Sequence, residues 1–310
     1  MAKRKRKKKG GGLKKLLLIL ILLCIVALGV FGWTSAHIVH VDYVDVYVRD
    51  LSPFLEGTTI LYASDFKITN EDGAKEAAAL IKRLSLASPD MIILGGDYTA
   101  YSLSDLLHAQ TQEGQDAIHE RLRAARRTFF SSLSDIVVPG GKFAVAGDTD
   151  SKVAGLFDDC YLGRVTLLEN SSILTYVNNT PILIAGAKDY MTGGERNFRF
   201  TNPTDAGTVI VAAHNPESCK QISALSDSLG SPLADLILTG HTLGGQINVM
   251  GKSLLSSAGA YQGEYMGGLY DESHTRVNML VSTGVGTDWL NFRLGSRAQV
   301  YFVTLHRKQG

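Results

Sequence analysis

The sequence predicts an α/β fold of layered β-sheets flanked by helices, preceded by one transmembrane helix. Three observations carry this reading. Short apolar runs alternate with segments of helical period through the first half of the chain, and the second half is rich in strand patterns. The polar residues of interest fall just beyond apolar runs, where open α/β sheets bind ligands. At the start of the chain, a stretch without charged side chains follows a strongly basic one.

Residues 1–15, MAKRKRKKKGGGLKK, carry nine Lys or Arg and no acid, and read as a basic cytoplasmic tail. Residues 16–33, LLLILILLCIVALGVFGW, approach the roughly 20 apolar residues that a membrane-spanning helix needs. Trp33 closes this anchor as interfacial aromatics do. The membrane is thus an expected partner. Basic flanks stay cytoplasmic, so residues 37–310 are expected to form the extracytoplasmic domain of a single-pass protein. A cleaved signal peptide is the competing reading, with Thr34–Ala36 as a small-residue cleavage site. Against it, the apolar run exceeds the usual signal core of about 7–15 residues.

Beyond the tail, 22 Lys and Arg face 30 acids, a balance near −8. Such a surface does not attract polyanions broadly, so no nucleic-acid partner is expected, and any phosphate chemistry needs a local source of positive charge. Cys24 lies in the apolar run. Cys160 and Cys219 show no metal-ligand spacing and could pair in an oxidising compartment.

HIVHVDYVDVYVRD (37–50) alternates like a strand, and TTILYASDF reads as a buried strand ending at Asp65. GAKEAAALIKRLSLAS (73–88) has helical spacing and good helix formers. DMIILGGDY is an apolar strand ending at Gly95–Gly96–Asp97. Residues 102–134 read as a helical segment within the domain, two helices broken near Gly114. Leu103, Leu106 and Leu107 mark a face of the first; Ile118, Leu122, Ala125 and Phe129 mark the second. KFAVAGDTD (142–150) is a strand ending in acids, and strands are expected at VTLLEN, SILTYV, PILIAGA, GTVIVAAH, ADLILTGH, VNMLVSTG and AQVYFVTLH.

Five strand ends carry metal-ligating types: Asp65 in YASDFK, Asp97 in LGGDYT, Asp148 in VAGDTD, His214 in VAAHNPE and His241 in LTGHTLGGQ. Each alone is weak, because Gly and Asp are ordinary turn residues and a lone His after a strand is more often structural. His37, His40, His108, His119, His274 and His306 lack comparable context and read as structural or surface residues.

In order and context, the five ends resemble the calcineurin-like metallophosphoesterases, whose motifs run D-x-H, G-D, G-N-H-D/E, H and G-H-x-H. HNPE and GHTLGGQ are similar to a membrane-anchored bacterial branch, as is the ending LVSTGVGTDWLNFRLGSRAQVYFVTL (280–305). The resemblance spans roughly residues 37–305. It implies the calcineurin-like phosphoesterase fold and two adjacent metal sites that activate water against a phosphoester.

Carried over, the resemblance implies a degenerate first metal site. Asp65 and Asp97 match, but Lys67 stands at the D-x-H histidine and Leu243 at the final histidine. At the second site Asp97, His214 and His241 match, and Asp148 replaces an Asn while keeping an oxygen donor. Thr149 occupies the general-acid position. Leu has no donor atom and a Lys ammonium has no lone pair. Without the first ion Asp65 and Asp97 would repel, and Lys67 could supply a substitute positive charge. One divalent ion, Mn, Zn or Fe, is expected on the two oxygens and two imidazoles of the second site, and no second ion. Two functions follow. One is a hydrolase of lipid or envelope phosphoesters or pyrophosphates. The other is a catalytically impaired pseudo-phosphoesterase that binds a phosphate ligand or envelope partner.

Overall fold

The computed structural model describes residues 11–189, 198–200, 207–226, 230–250, 252–254 and 264–308. Helix α1 (Gly11–His37) holds the apolar run, and its side chains up to Phe31 stand exposed. It is the one described helix long and apolar enough to cross a membrane. The helix continues unbroken through Thr34–Ala36, the alternative cleavage site. Its last turns dock on the domain: Arg293 N donates to Gly32 O (3.0 Å), and Ala298 N donates to Ser35 O (3.3 Å).

The chain continues through β1 (His40–Val48), β2 (Thr59–Ala63), α2 (Glu71–Ser85), β3 (Met91–Leu94), α3 (Leu103–His108), α4 (Gln112–Ser132), β4 (Lys142–Ala144), α5 (Leu156–Leu162) and β5 (Thr166–Leu167). Then come β6 (Ser171–Val177), β7 (Thr180–Gly186), β8 (Val209–Ala212), α6 (Cys219–Ile222), β9 (Leu236–Thr239), β10 (Asn248–Val249) and β11 (Lys252–Ser253). The last elements are β12 (Gly268–Tyr270), α7 (Glu272–Thr275), β13 (Asn278–Val281) and β14 (Gln299–Arg307).

Two six-stranded sheets result, in the orders β1-β14-β2-β3-β4-β5 and β12-β13-β9-β8-β7-β6. Strands β2 to β5 run parallel, as do β7, β8, β9 and β13. Alternation along each strand decides the layers. Ile60 and Tyr62 of β2 join Ile210 and Ala212 of β8 in the core between the sheets. Leu61 and Ala63 point the other way, onto Ala74, Ala78 and Ile81 of α2 and Phe129 of α4. Val209 and Val211 point to a third core with Phe198, Cys219 and Ile222. Fully buried aliphatic side chains of this kind contribute about 1.5–3 kcal/mol each. Helices therefore flank the first sheet and the two sheets stack, which is the layered α/β architecture.

Local signals set the helix bounds. Asn70 caps α2 by accepting from Gly73 N, acids occupy its first turn, and Lys82 and Arg83 its last. Between the two helices of 102–134 the break comes at 109–111, before the expected Gly114. Thr111 accepts from Gly114 N at 3.1 Å, so the glycine lies in the first turn of α4. The expected apolar face of α3 is also not buried: Leu103, Leu106 and Leu107 are exposed, and the buried residue of that helix is Asp105. Its carboxylate accepts from Ser102 N and from Arg121 of α4, so a capping box and an ion pair hold this short helix. Cys160 packs in the core beside α2 and α4, while Cys219 packs on the far face of the second sheet; both are free thiols.

Candidate metal centre

Asp65, Asp97 and Asp148 follow β2, β3 and β4 of one sheet; His214 and His241 follow β8 and β9 of the other. Stacking the sheets brings these five strand ends to one place. The backbone there is tightly wound. Asp65, Lys67, Asp97, His241 and Leu243 all take left-handed conformations, with φ from 50° to 69°. Each costs a non-glycine residue roughly 1–2 kcal/mol, and such costs concentrate at functional sites. Neighbouring glycines permit the close approach: a Cβ at Gly147 would lie 2.3 Å from Asp97 Oδ1, and one at Gly240 would lie 2.4 Å from Asp65 Oδ2.

Asp97, Asp148, His214 and His241 each offer one donor atom within a set spanning no more than 4.8 Å. His214 Nε2 lies 3.3 Å from both Asp97 Oδ2 and Asp148 Oδ1. His241 Nδ1 lies 3.1 Å from Asp148 Oδ1 and 3.3 Å from His214 Nε2. Donors arranged tetrahedrally at metal bond lengths of about 2.0–2.1 Å stand roughly 3.3–3.4 Å apart, so this spacing suits a single ion. The tautomer suits it too. His214 Nδ1 lies 2.7 Å from the carbonyl of Gly95, which can only accept, so Nδ1 carries a proton and, in the neutral ring, Nε2 is the nitrogen with the lone pair. Two carboxylates and two imidazoles could hold a divalent cation without choosing among Mn, Zn and Fe. His214, 1 % exposed, is pushed above its usual pKa: burial opposes the charge, and Asp97 with Asp148 outweighs it.

The groups at the first-site positions lie alongside. Lys67 is buried, and its Nζ donates to Asp97 Oδ2 at 2.5 Å. Burial works against the ammonium, but Asp97 and Asp65 hold its pKa above the ordinary lysine value. Asp65 makes no hydrogen bond to Lys67. Its Oδ2 accepts from His241 N at 2.9 Å, while Oδ1 is buried without a hydrogen-bond partner, 4.0 Å from His214 Nε2. Leu243, 1 % exposed, presents only hydrocarbon there.

Thr149 is turned inward. Its N–H and Oγ1 lie 2.9 and 2.8 Å from Asp97 Oδ1, and Oγ1 is also 2.8 Å from the Thr99 carbonyl. Asp97 therefore has chain donors on both oxygens. Thr149 also lines a cleft of about 180 Å³ with Tyr101, Leu106, Lys152, Asp288 and Trp289.

Two organising residues escape the strand-end reading. Asp150 accepts from Asp97 N, Tyr98 N and Gly147 N at 2.8, 3.1 and 2.9 Å, tying two ligand loops together. Burial, then the Asp97 charge, pushes its carboxyl up to about 7. The second acid of VAGDTD was its only signal. Arg293 is fully buried and donates to the carbonyls of Leu243, Thr283, Gly284, Gly286 and Arg297, which holds the Leu243 turn. Burial lowers its pKa to about 10.

No family model matches the chain. Three known proteins are similar to it. A Danio rerio transmembrane protein with metallophosphoesterase domain is 24% identical over 294 residues, covering 90% of this chain and 60% of that protein. A Caenorhabditis elegans protein whose name proposes a metallophosphoesterase is 23% identical over 301 residues, 91% of this chain and 56% of its own length. An uncharacterised Bacillus subtilis protein, YpbG, is 32% identical over 142 residues, 46% of this chain and 48% of its own. The chain thus spans about half to three-fifths of the length of these relatives.

Proposed function

We infer, for a chain that belongs to the calcineurin-like metallophosphoesterase family and is membrane-associated, a one-ion phosphoester hydrolase tethered at the outer face of a membrane. In this reading residues 1–15 are the cytoplasmic tail, 16–33 the anchor, and 37–310 the extracytoplasmic domain. Asp97, Asp148, His214 and His241 hold one divalent ion. The single observation that carries the reading is the 3.1–3.3 Å spacing of their donor atoms. When bound, the ion supplies Lewis-acid polarisation of a phosphoryl oxygen.

The chain's own residues do the rest. Lys67 takes over the charge of the first ion by neutralising Asp97 within a buried pair. Asp65, through His241 N, fixes the turn that aims the His241 ring. The organic part of the ester sits in the cleft between Thr149, Tyr101 and Trp289. Lipid or envelope phosphoesters and pyrophosphates are the substrate class, because the anchor keeps the site beside the bilayer. Thr149 is not an acid near neutral pH, so within this class pyrophosphates, whose phosphate leaving group departs unprotonated, are favoured over alkyl esters.

One observation favours the second reading, a pseudo-phosphoesterase that binds phosphate without turnover: both Asp97 oxygens already have chain donors. The test uses the full chain in detergent, loaded with Mn or Zn. The expected outcome is about one ion per chain and slow hydrolysis of bis(p-nitrophenyl) phosphate, both lost in His214→Ala/His241→Ala. Metal without hydrolysis, together with phosphate binding, selects the binding module. A folded chain that takes up no stoichiometric metal refutes the hydrolase and leaves the binding module.

A further inference from the structure

A groove of about 610 Å³ lies where the anchor meets the domain, and it is distinct from the cleft beside Thr149. One wall is the end of α1, through Phe31 and Ser35; the opposite wall includes Gly244, Ser296, Arg297 and Tyr301. The junction is fixed by the backbone hydrogen bonds from Arg293 N to Gly32 O and from Ala298 N to Ser35 O. Because α1 leaves the bilayer at its Trp33 end, the groove opens at the membrane boundary.

Its lining is graded. Phe31, Met266 and Tyr301 supply apolar and aromatic surface. His40 and Arg297 supply nitrogen donors. The His40 ring makes no hydrogen bond among the described residues, and Arg297 commits only Nη2, to Asp42 at 2.6 and 2.9 Å, leaving Nε and Nη1 without partners among them. Asp42 is the adjacent negative charge, already engaged by Arg297 and Gln299. An arginine with two uncommitted nitrogens, carrying three N–H donors, together with an imidazole matches phosphate oxygens.

We propose that this groove binds the headgroup phosphate of a glycerophospholipid of the bilayer in which the anchor sits. Its size exceeds what a free phosphate fills, and the apolar wall meets the glycerol and upper acyl chains. The groove also backs onto the metal turn: Ser296, one of its walls, donates to the Leu243 carbonyl at 2.6 Å. The groove therefore shares Ser296 with the turn that follows His241, whether or not that site cleaves an ester.

The test is native mass spectrometry of the full chain released from dodecylmaltoside micelles doped with dioleoyl phosphatidylglycerol or with dioleoylglycerol, which has the same chains and no phosphate. Wild type is expected to retain one phosphatidylglycerol under activation that strips dioleoylglycerol. Ser35→Trp fills the groove and is expected to weaken retention roughly tenfold, as are His40→Gln and Arg297→Gln, which remove a donor each. Leu20→Trp, on the exposed anchor, is expected to behave as wild type. Melting curves confirm that the variants fold; a Ser35→Trp chain that does not is set aside for the two donor variants. Equal retention of both lipids by wild type overturns the proposal, and so does undiminished retention in the folded groove variants.

Discussion

Replacing Lys67 with Met tests whether the chain itself compensates Asp97. The substitution keeps the apolar stem and removes an ammonium that lies 2.5 Å from Asp97 Oδ2, in a pair whose side chains are 5 % and 0 % exposed. At an effective dielectric constant of about 20, that attraction is roughly 6–7 kcal/mol. Part survives the change, because Thr149 still donates to Oδ1 and His214 lies 3.3 Å from Oδ2. Stranding one partner of a buried pair costs about 3–5 kcal/mol. At roughly 2–4 °C per kcal/mol, the melting temperature should fall by about 10 °C. The assay is thermal unfolding of the full chain in detergent with a chelator, for wild type, Lys67→Met, Asp97→Asn and the double variant. The double variant should lose less than the sum of the singles, since neither buried charge is then stranded. A Lys67→Met shift under about 2 °C, or strictly additive losses, would refute the reasoning.

Three further outcomes are expected. Lys67→His with Leu243→His restores two nitrogen donors at the first-site positions, so bound Mn should rise from about one ion per chain to about two; an unchanged count argues against those positions facing a shared site. Thr149→His should speed hydrolysis of alkyl phosphate esters by roughly a hundredfold, with little gain for p-nitrophenyl esters, because only the former need a proton. Equal gains on both would show that the histidine acts otherwise. The third concerns Asp235, whose carboxyl is pushed up to about 7 by burial and the Asp50 and Glu272 charges, although Val209 N donates to it. A folded-state pKa above the unfolded value contributes stability below about pH 4, lost as pH rises through about 7. Asp235→Asn should therefore gain on wild type by about 2 kcal/mol between pH 5 and pH 8, and an equal melting difference at both pH values would sink this account.

Much of the architecture is a local property of the chain. The runs TILYA, MIIL, VIVA, LILT and NMLV are apolar and bounded by turn residues, so they form β2, β3, β8, β9 and β13 wherever the chain goes. The ligand types at their ends are equally local: Asp and His can donate to an ion, whereas Leu243 cannot, and this is legible from residue chemistry alone. The same holds for α1, since 18 residues without a charge specify an apolar helix before any packing.

Other outcomes depended on partners distant in sequence. Lys67 turns inward because Asp97, thirty positions away, lies beside it once β2 and β3 pair; no local pattern distinguishes that from an exposed lysine. Leu103, Leu106 and Leu107 have the spacing of a buried face, yet Arg121 of α4 draws Asp105 inward and leaves the leucines outside. Arg293 looks like an ordinary surface arginine until the turns at Leu243 and Gly284 close around it. The sequence by itself determined the elements, the donor chemistry and the missing donors, because these follow from periodicity and side-chain type. Only the tertiary structure decided which charges meet, since the pairing and stacking of two sheets set those distances.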